Sequence, residues 1–230
     1  MFKYETHLHT SPASRCARAS VRESLEFYKK MGYDGVFITN HFVNHLYPDV
    51  PYEEKIDMYF ADYEEGAALA EEIGIKVFCG VEMDYHGSHF LVYGLDKDWY
   101  KMHPELRGLE CKQMLETFVE AGAFVIHAHP YREAKFIDHI RLFPRNVHGV
   151  EVVNGNLGDL GNKMGDFYAE GYNLLKTAGT DNHVAGETHR VAGIGFETPI
   201  ESVDDYAEKL KAGEGKIFTL NAEDFYGKDE

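Results

Sequence analysis

The sequence predicts an α/β domain in which parallel strands are joined by crossover helices, and three observations point there. Short apolar runs alternate with longer segments of helical period. Acids and histidines stand at the downstream end of nearly every one of those runs. Finally, 230 residues, 44% of them hydrophobic, suit one core, and no linker, repeat or low-complexity tract divides them. A single domain over 1–230 is therefore expected.

Lys3 to His7 opens the chain as a strand, and Val21, Leu25, Tyr28 and Met31 then recur at helical spacing. Gly35 to Thr39 is the second strand, short and apolar as a strand buried on both faces must be. Ile56, Phe60, Tyr63, Ala67 and Ala70 mark a second amphipathic helix, and Ile75 to Val81 a third strand. Tyr85 to Leu95 is too short for a crossover helix, and its apolar body Phe90-Leu91-Val92-Tyr93 reads as a strand-like excursion. A helix over Leu109 to Ala121 leads to a strand over Phe124 to His127, and one over Glu133 to Leu142 leads to a strand over Val147 to Val153. A helix over Asn162 to Tyr172, weakened by Gly165 and Gly171, leads to a strand over Leu174 to Ala178. Ile194 to Phe196 is the seventh strand and Val203 to Ala212 the last helix.

The formal charge of −16 repels polyanions at long range, which disfavours an extended nucleic-acid or anionic-membrane surface. A cation cluster in a pocket escapes that argument, because bound ions invert the local field and admit a small phosphate. Cys16, Cys79 and Cys111 are odd in number and lack a short-spaced pair. They fit neither a disulfide framework nor a zinc ribbon, and they point to a reducing cytoplasm. No apolar signal region opens the sequence, and no run approaches a membrane span. Oligomeric state leaves no mark in the sequence.

His7-Leu8-His9 lies on an extended segment, where a period of two aims both imidazoles to one side to chelate one ion. Asp181-Asn182-His183 repeats that arrangement with a carboxylate and an imidazole. Glu82 ends an apolar strand, where an unpaired carboxylate is costly to bury, so either a salt bridge or a pair of cations must compensate it. In His127-Ala128-His129-Pro130 the proline ends regular pairing and fixes His129 at the strand tip, while His127 sits one layer deeper as a core or supporting histidine. His41 closes the second strand and His89 heads the excursion, with His86 competing for the same role. The ends of parallel barrel strands share one rim, so these distant residues are expected to converge. Arg132, three residues after His129, and Arg190, seven after His183, should lie near that rim, with Arg15 and Arg18 on the first loop. The planar guanidinium fork of each suits phosphate oxygens; a solvated arginine is the plainer alternative for each.

The ordered set His7-x-His9, Asn40-His41, Gly80-Val81-Glu82, His89, His129-Pro130 and Asp181-x-His183 resembles the PHP (polymerase and histidinol phosphatase) domain across almost the whole chain. The resemblance implies a distorted (β/α)7 barrel with two or three divalent ions, zinc, manganese or iron, at the C-terminal ends of the strands. It implies His7, His9, Glu82 and Asp181 on a first ion, with Glu82 bridging to a second that His89 and His129 complete, and His41 with His183 on a third. Such ligands suit all three elements. Two departures stand out. Family members often carry a further histidine or aspartate shortly beyond the His-x-His pair, where this chain has Thr10 to Cys16 with no strong ligand at Ser14 or Arg15; Cys16 is a candidate thiolate ligand there, with a free structural thiol as the plainer reading. They also commonly have aspartate where Asn40 stands.

The implied activity is hydrolysis of a small phosphorylated substrate, a phosphomonoester or nucleotide, with histidinol-phosphatase-like chemistry as one case. A metal-held hydroxide, anchored through Glu82, Asp181 and His183, would attack phosphorus in line, since water on such an ion ionises near pH ~7. The charge and the lack of a basic or aromatic track disfavour a processive nuclease. Two other classes stay open: a non-catalytic metal-binding domain of PHP type, and an amidohydrolase-type hydrolase. The latter also uses His-x-His and a late aspartate but often bridges its metals with a carboxylated lysine.

Overall fold

The computed structural model describes residues 1–42 and 49–221. Among the described residues ten strands form one mixed sheet: β1 (Phe2–Leu8), β2 (Gly35–Ile38), β3 (His41–Phe42), β4 (Lys76–Tyr85), β5 (Ser88–Tyr93), β6 (Phe124–Ala128), β7 (Gly149–Asn154), β8 (Leu175–Gly179), β9 (Arg190–Phe196) and β10 (Lys216–Asn221). The helices are α1 (Val21–Lys30), α2 (Tyr52–Ile73), α3 (Lys97–Met102), α4 (Cys111–Glu120), α5 (Asp159–Tyr172) and α6 (Val203–Lys211).

The strand order is β10-β9-β1-β2-β4-β5-β6-β7-β8, with β3 beside β4. The β1–β2, β2–β4, β6–β7 and β7–β8 pairs are parallel, whereas β5 is antiparallel to both β4 and β6. The far edge of β1 is shared. Its start, Phe2 to Tyr4, pairs antiparallel with β9. Its end meets the chain leaving β8: Thr6 Oγ1 donates to the Ala178 carbonyl at 2.8 Å, and the Asp181 and His9 amides donate to the His7 and Asn182 carbonyls at 2.8 and 3.0 Å. The result is a nearly closed, distorted barrel of the α/β class with helices around it. Ile194–Phe196 is a strand as expected, but it runs antiparallel, and the seventh place in the ring goes to the Tyr85–Leu95 excursion.

Local chemistry explains the elements. The β4–β5 hairpin turns through His86 and Gly87, both at positive φ (49° and 81°), as a two-residue turn matched to strand twist requires. A reciprocal Ser20–Glu23 capping box starts α1, and Gly74 at φ 75° ends α2. Val21, Leu25 and Tyr28 bury the predicted face of α1 against Leu8, Val36 and Ile38. A second cluster draws Tyr4, Phe37, Phe78, Leu91, Ile126, Ala178 and Ile194 together with Tyr206 and Leu210 of α6. It fills the barrel below the strand tips, each large side chain contributing on the order of 1.5–3 kcal/mol.

The helix expected over Glu133 to Leu142 does not form; that stretch is an irregular loop. Phe136, Ile140 and Leu142 are all exposed there, so no apolar face is buried to reward helix formation. Ile137 instead packs over Gly87, and Arg141 donates to the His86 carbonyl at 3.1 Å, which ties the loop to the β4–β5 turn. The thiols Cys16, Cys79 and Cys111 are all free. No helix among the described residues is long and apolar enough to cross a membrane.

Candidate metal centre

Every metal-ligating residue expected from the sequence comes to one mouth of the barrel, formed by the C-terminal ends of the parallel strands and the N-terminal end of the antiparallel β5. β1 delivers His7 and His9, the end of β2 leads to His41, β4 carries Glu82, β5 carries His89, and β6 and β8 run into His129 and Asp181 with His183. His129 and Asp181 both hold left-handed backbone, φ 27° and 59°. That conformation is uncommon and costs energy for residues other than glycine, and it persists where the surroundings fix it. Here it turns each chain sharply off its strand, with the side chain kept in the cluster.

Glu82 is the hub. Its Oε1 lies 3.1 Å from His7 Nε2, 3.0 Å from His89 Nδ1 and 3.1 Å from His129 Nε2, and its Oε2 lies 3.4 Å from His9 Nε2 and 2.5 Å from His41 Nδ1. Asp181 Oδ1 is 3.2 Å from His9 Nε2 and 3.5 Å from His7 Nε2. Imidazole and carboxylate atoms of these residues fall into four overlapping groups able to hold an ion: His9–His41–His183, His7–His129–Asp181, His7–His9–Glu82 and His41–Glu82–His89.

The donor set fits divalent cations on its own evidence. Glu82 Oε2 and His41 Nδ1 are buried and face each other, yet neither makes a hydrogen bond among the described residues. A buried polar atom left unpaired is costly, and a shared cation between such lone pairs removes the cost. The nitrogen and carboxylate character matches zinc, manganese or iron.

Outer partners set the imidazole tautomers. His7 Nδ1 is 2.9 Å from Glu151 Oε1; a carboxylate only accepts, so the proton sits on Nδ1 and the Nε2 lone pair turns to the cluster. Asp84 Oδ1 does the same for His89 Nε2 at 3.0 Å, and the Asp181 carbonyl for His183 Nδ1 at 2.8 Å. Ser14, where no ligand was found in the sequence, sits 3.1 Å from His9 Nδ1 and accepts from the His41 amide at 3.0 Å. Asn40 joins the first loop instead of carrying charge, accepting from Thr10 N at 2.8 Å and donating to Thr10 Oγ1 at 2.9 Å and Asp62 at 3.3 Å.

Proximity perturbs the titrations strongly. Burial disfavours the charge on His41, yet Glu82 and Cys16 outweigh it and push the imidazole up to about 10. Burial likewise opposes Glu82 and Asp84 raising His89, which ends at about 9. His9 goes the other way, held well below the usual range by burial and by His41 and His183. Burial acts to raise Glu82 and Asp181, but the surrounding imidazoles hold both carboxylates well below the usual range. Cys16 opens onto the cavity beside His41 and His183; burial raises its thiol, but hydrogen bonds with those two histidines bring it down to about 6.

His127 is a core histidine, stacked on Phe90 at 4.8 Å between centroids and lowered to about 3 by burial and then by His129 and His89. His86 sits in the hairpin turn at the cavity wall, outside the four ligand groups.

Of the four arginines expected near substrate, Arg132 lines the cavity. Arg190 pairs with Asp159 at 3.0 Å, donates to the Leu157 carbonyl at 2.6 Å and is not among the residues lining the cavity. Arg18 pairs with Glu187 at 3.0 Å on the surface, and neither it nor Arg15 lines the cavity.

Sequence reasoning missed Glu151 and Glu5. Glu151 is fully enclosed and, besides His7, accepts from the His129 amide at 3.1 Å and Asn154 Nδ2 at 2.9 Å. Glu5, pushed up to about 7 chiefly by burial, accepts from the His7 and Thr180 amides at 2.8 and 2.9 Å and from the Thr180 hydroxyl. A lone carboxylate inside an apolar strand is itself a signal, because it must find partners.

No protein-family model matches the chain, and no curated protein does. Solved structures do. A two-domain protein from Bacteroides vulgatus containing a predicted PHP-like metal-dependent phosphoesterase superposes with a TM-score of 0.66 at 17% identity, over 94% of this chain. The chain spans 64% of that protein's length. A proposed metal-dependent phosphoesterase from Bifidobacterium adolescentis gives 0.55 at 16% identity, over 90% of this chain and 95% of its own. An amidohydrolase from Chromobacterium violaceum, solved with sulfate and without metal, gives 0.54 at 13% identity, over 95% and 98%. The chain thus has the barrel fold of the PHP-like metal-dependent phosphoesterases.

Proposed function

We propose that this chain is a metal-dependent hydrolase of small phosphate esters. The observation that carries the proposal is the Glu82 carboxylate, buried and met by five imidazoles within 2.5–3.4 Å. A position between two ion sites is the arrangement that gives so many lone pairs a use. His7, His9 and Asp181 with Glu82 would hold one ion, His89 and His129 with Glu82 a second, and His41 with His183 a third. Bound divalent ions supply water activation near neutral pH and stabilise charge on phosphoryl oxygens.

The chain's own groups do the remaining work. Arg132 orients a phosphate through its planar donors. Glu151, Asp84 and Ser14 hold ligand imidazoles in the required tautomer. Where only two ions bind, His183 and His41, partly exposed at the cavity, would be free to pass a proton toward the departing alcohol. In the overall change the bond from phosphorus to the alcohol oxygen breaks, water's oxygen bonds to phosphorus, and a proton goes to the alcohol.

Glu82 favours this reading over an amidohydrolase with a carboxylated lysine, because its carboxylate already stands among the imidazoles where such a bridge would lie. Metal-reconstituted protein assayed on matched panels of phosphate esters and of amides and lactones decides the matter. Turnover of esters alone is expected. Turnover confined to amides or lactones would transfer the site to the amidohydrolase class, and no turnover on either panel would leave a metal-binding domain without catalysis.

A further inference from the structure

A cavity of about 730 Å³ opens beside the cluster, with His41, His89 and His183 among its lining. Pockets of roughly 300–1,000 Å³ enclose most of a small organic molecule, so the space suits far more than a phosphate group. Leu109 and Phe136 supply apolar surface, backed by the buried Leu106 and Met114.

Two arginines from separate elements also line the cavity: Arg132 from the loop after β6, and Arg107 from the 3₁₀ turn Pro104–Gly108. Among the described residues neither pairs with a carboxylate, whereas Arg18, Arg22, Arg141 and Arg190 each do. In a chain of net charge −16 that is unexpected for both at one mouth. Each guanidinium instead lies over an aromatic ring, Arg132 5.9 Å from Phe136 and Arg107 5.7 Å from Tyr52. The Tyr52 hydroxyl in turn donates to the Tyr100 and His103 carbonyls at 2.8 and 3.1 Å. Stacking holds a guanidinium by its face and leaves its edge donors for an anion. The cavity's own carboxylates are already engaged, Asp84 with His89 at 3.0 Å and Glu110 with the Tyr85 hydroxyl at 2.8 Å.

Resting on the phosphoesterase reading, we propose that the cavity selects a phosphate ester whose alcohol is an apolar, ring-sized body carrying a second negative charge. The body lies on Leu109 and Phe136; the distal charge meets Arg107, leaving Arg132 for the phosphate.

Ethyl, benzyl and 4-carboxybenzyl phosphate share primary alcohol leaving groups and differ only in ring and charge. With metal-reconstituted full chain, kcat/KM should rise in that order, by about tenfold or more for the ring and by about tenfold for the added charge. Arg107→Ala should lose about tenfold on 4-carboxybenzyl phosphate and stay within about twofold on benzyl phosphate. Equal effects of the variant on both esters, or no discrimination among the three by the wild type, would overturn the inference while the phosphoesterase reading stands. Failure of the wild type to hydrolyse any phosphate ester would remove that reading and this one with it.

Discussion

Glu151 shows how much of the centre depends on residues that never touch an ion. Its carboxylate fixes His7 from behind and holds the His129 amide, so one side chain orients ligands from two strands. Glu151→Gln keeps the volume but loses the charge, and metal affinity measured by competition with a chromophoric chelator should fall about 10–100-fold, as for other outer partners of ligand imidazoles, with the fold retained by circular dichroism. Unchanged affinity would reduce Glu151 to a packing role. The convergence of the candidate ligands was legible because histidines and acids recur directly after apolar strands, whose ends share one rim. The role of Glu151 was not: its isolation in Gly149-Val150-Glu151-Val152-Val153 signals that it must find partners, but those partners lie 144 and 22 positions away. For Arg190, proximity in sequence to His183 said nothing of Asp159, with which its guanidinium pairs.

Among the elements, the contact between β1 and β8 decides whether the two halves of the ligand set meet. Gly179 sits in that seam, where an added Cβ would stand 2.5 Å from His7 Cβ and 2.9 Å from Glu151 Oε1. Gly179→Ala must push the strands apart, and a destabilisation of about 1–3 kcal/mol by denaturant unfolding is expected from such overpacking, together with weakened metal binding. A variant as stable and as well loaded as the wild type would mean the seam is slack. Strand positions were readable from short apolar runs, as was the α1 face of Val21, Leu25 and Tyr28. Strand direction was not: an antiparallel β5 or β9 is as apolar as a parallel one, and only the two-residue turn at His86-Gly87 marks the reversal. The missing helix over Glu133 to Leu142 has the composition of a helix but no surface against which to bury it.

For the whole molecule, the raised imidazoles tie metal loading and stability to pH. His41 at about 10 and His89 at about 9 exceed the ordinary value of 6.5. In the metal-free protein their contribution to stability is therefore full below about pH 6.5 and is lost as pH rises through 9 to 10. The depressed Glu82 and Asp181 contribute above the ordinary carboxylate range and lose their effect as pH falls below it. Metal-free protein should thus melt highest in mildly acidic solution and lower toward pH 10. An ion must displace the protons on His41 and His89, so loading near pH 7 should release protons and tighten with rising pH. Calorimetric titration in two buffers of different ionisation enthalpy reads that release directly. Identical heats in both buffers would contradict it.

The claim beneath all of this is that residues from six strands are gathered around shared cations with Glu82 between them. Its most direct measurement is the metal content per chain, by elemental analysis after equilibration with zinc, manganese and iron in turn, for the wild type and Glu82→Gln. Two or more equivalents in the wild type, falling to one or fewer in the variant, is the predicted result. A wild type that retains no ion, or a variant that binds as many as the wild type, would contradict the account.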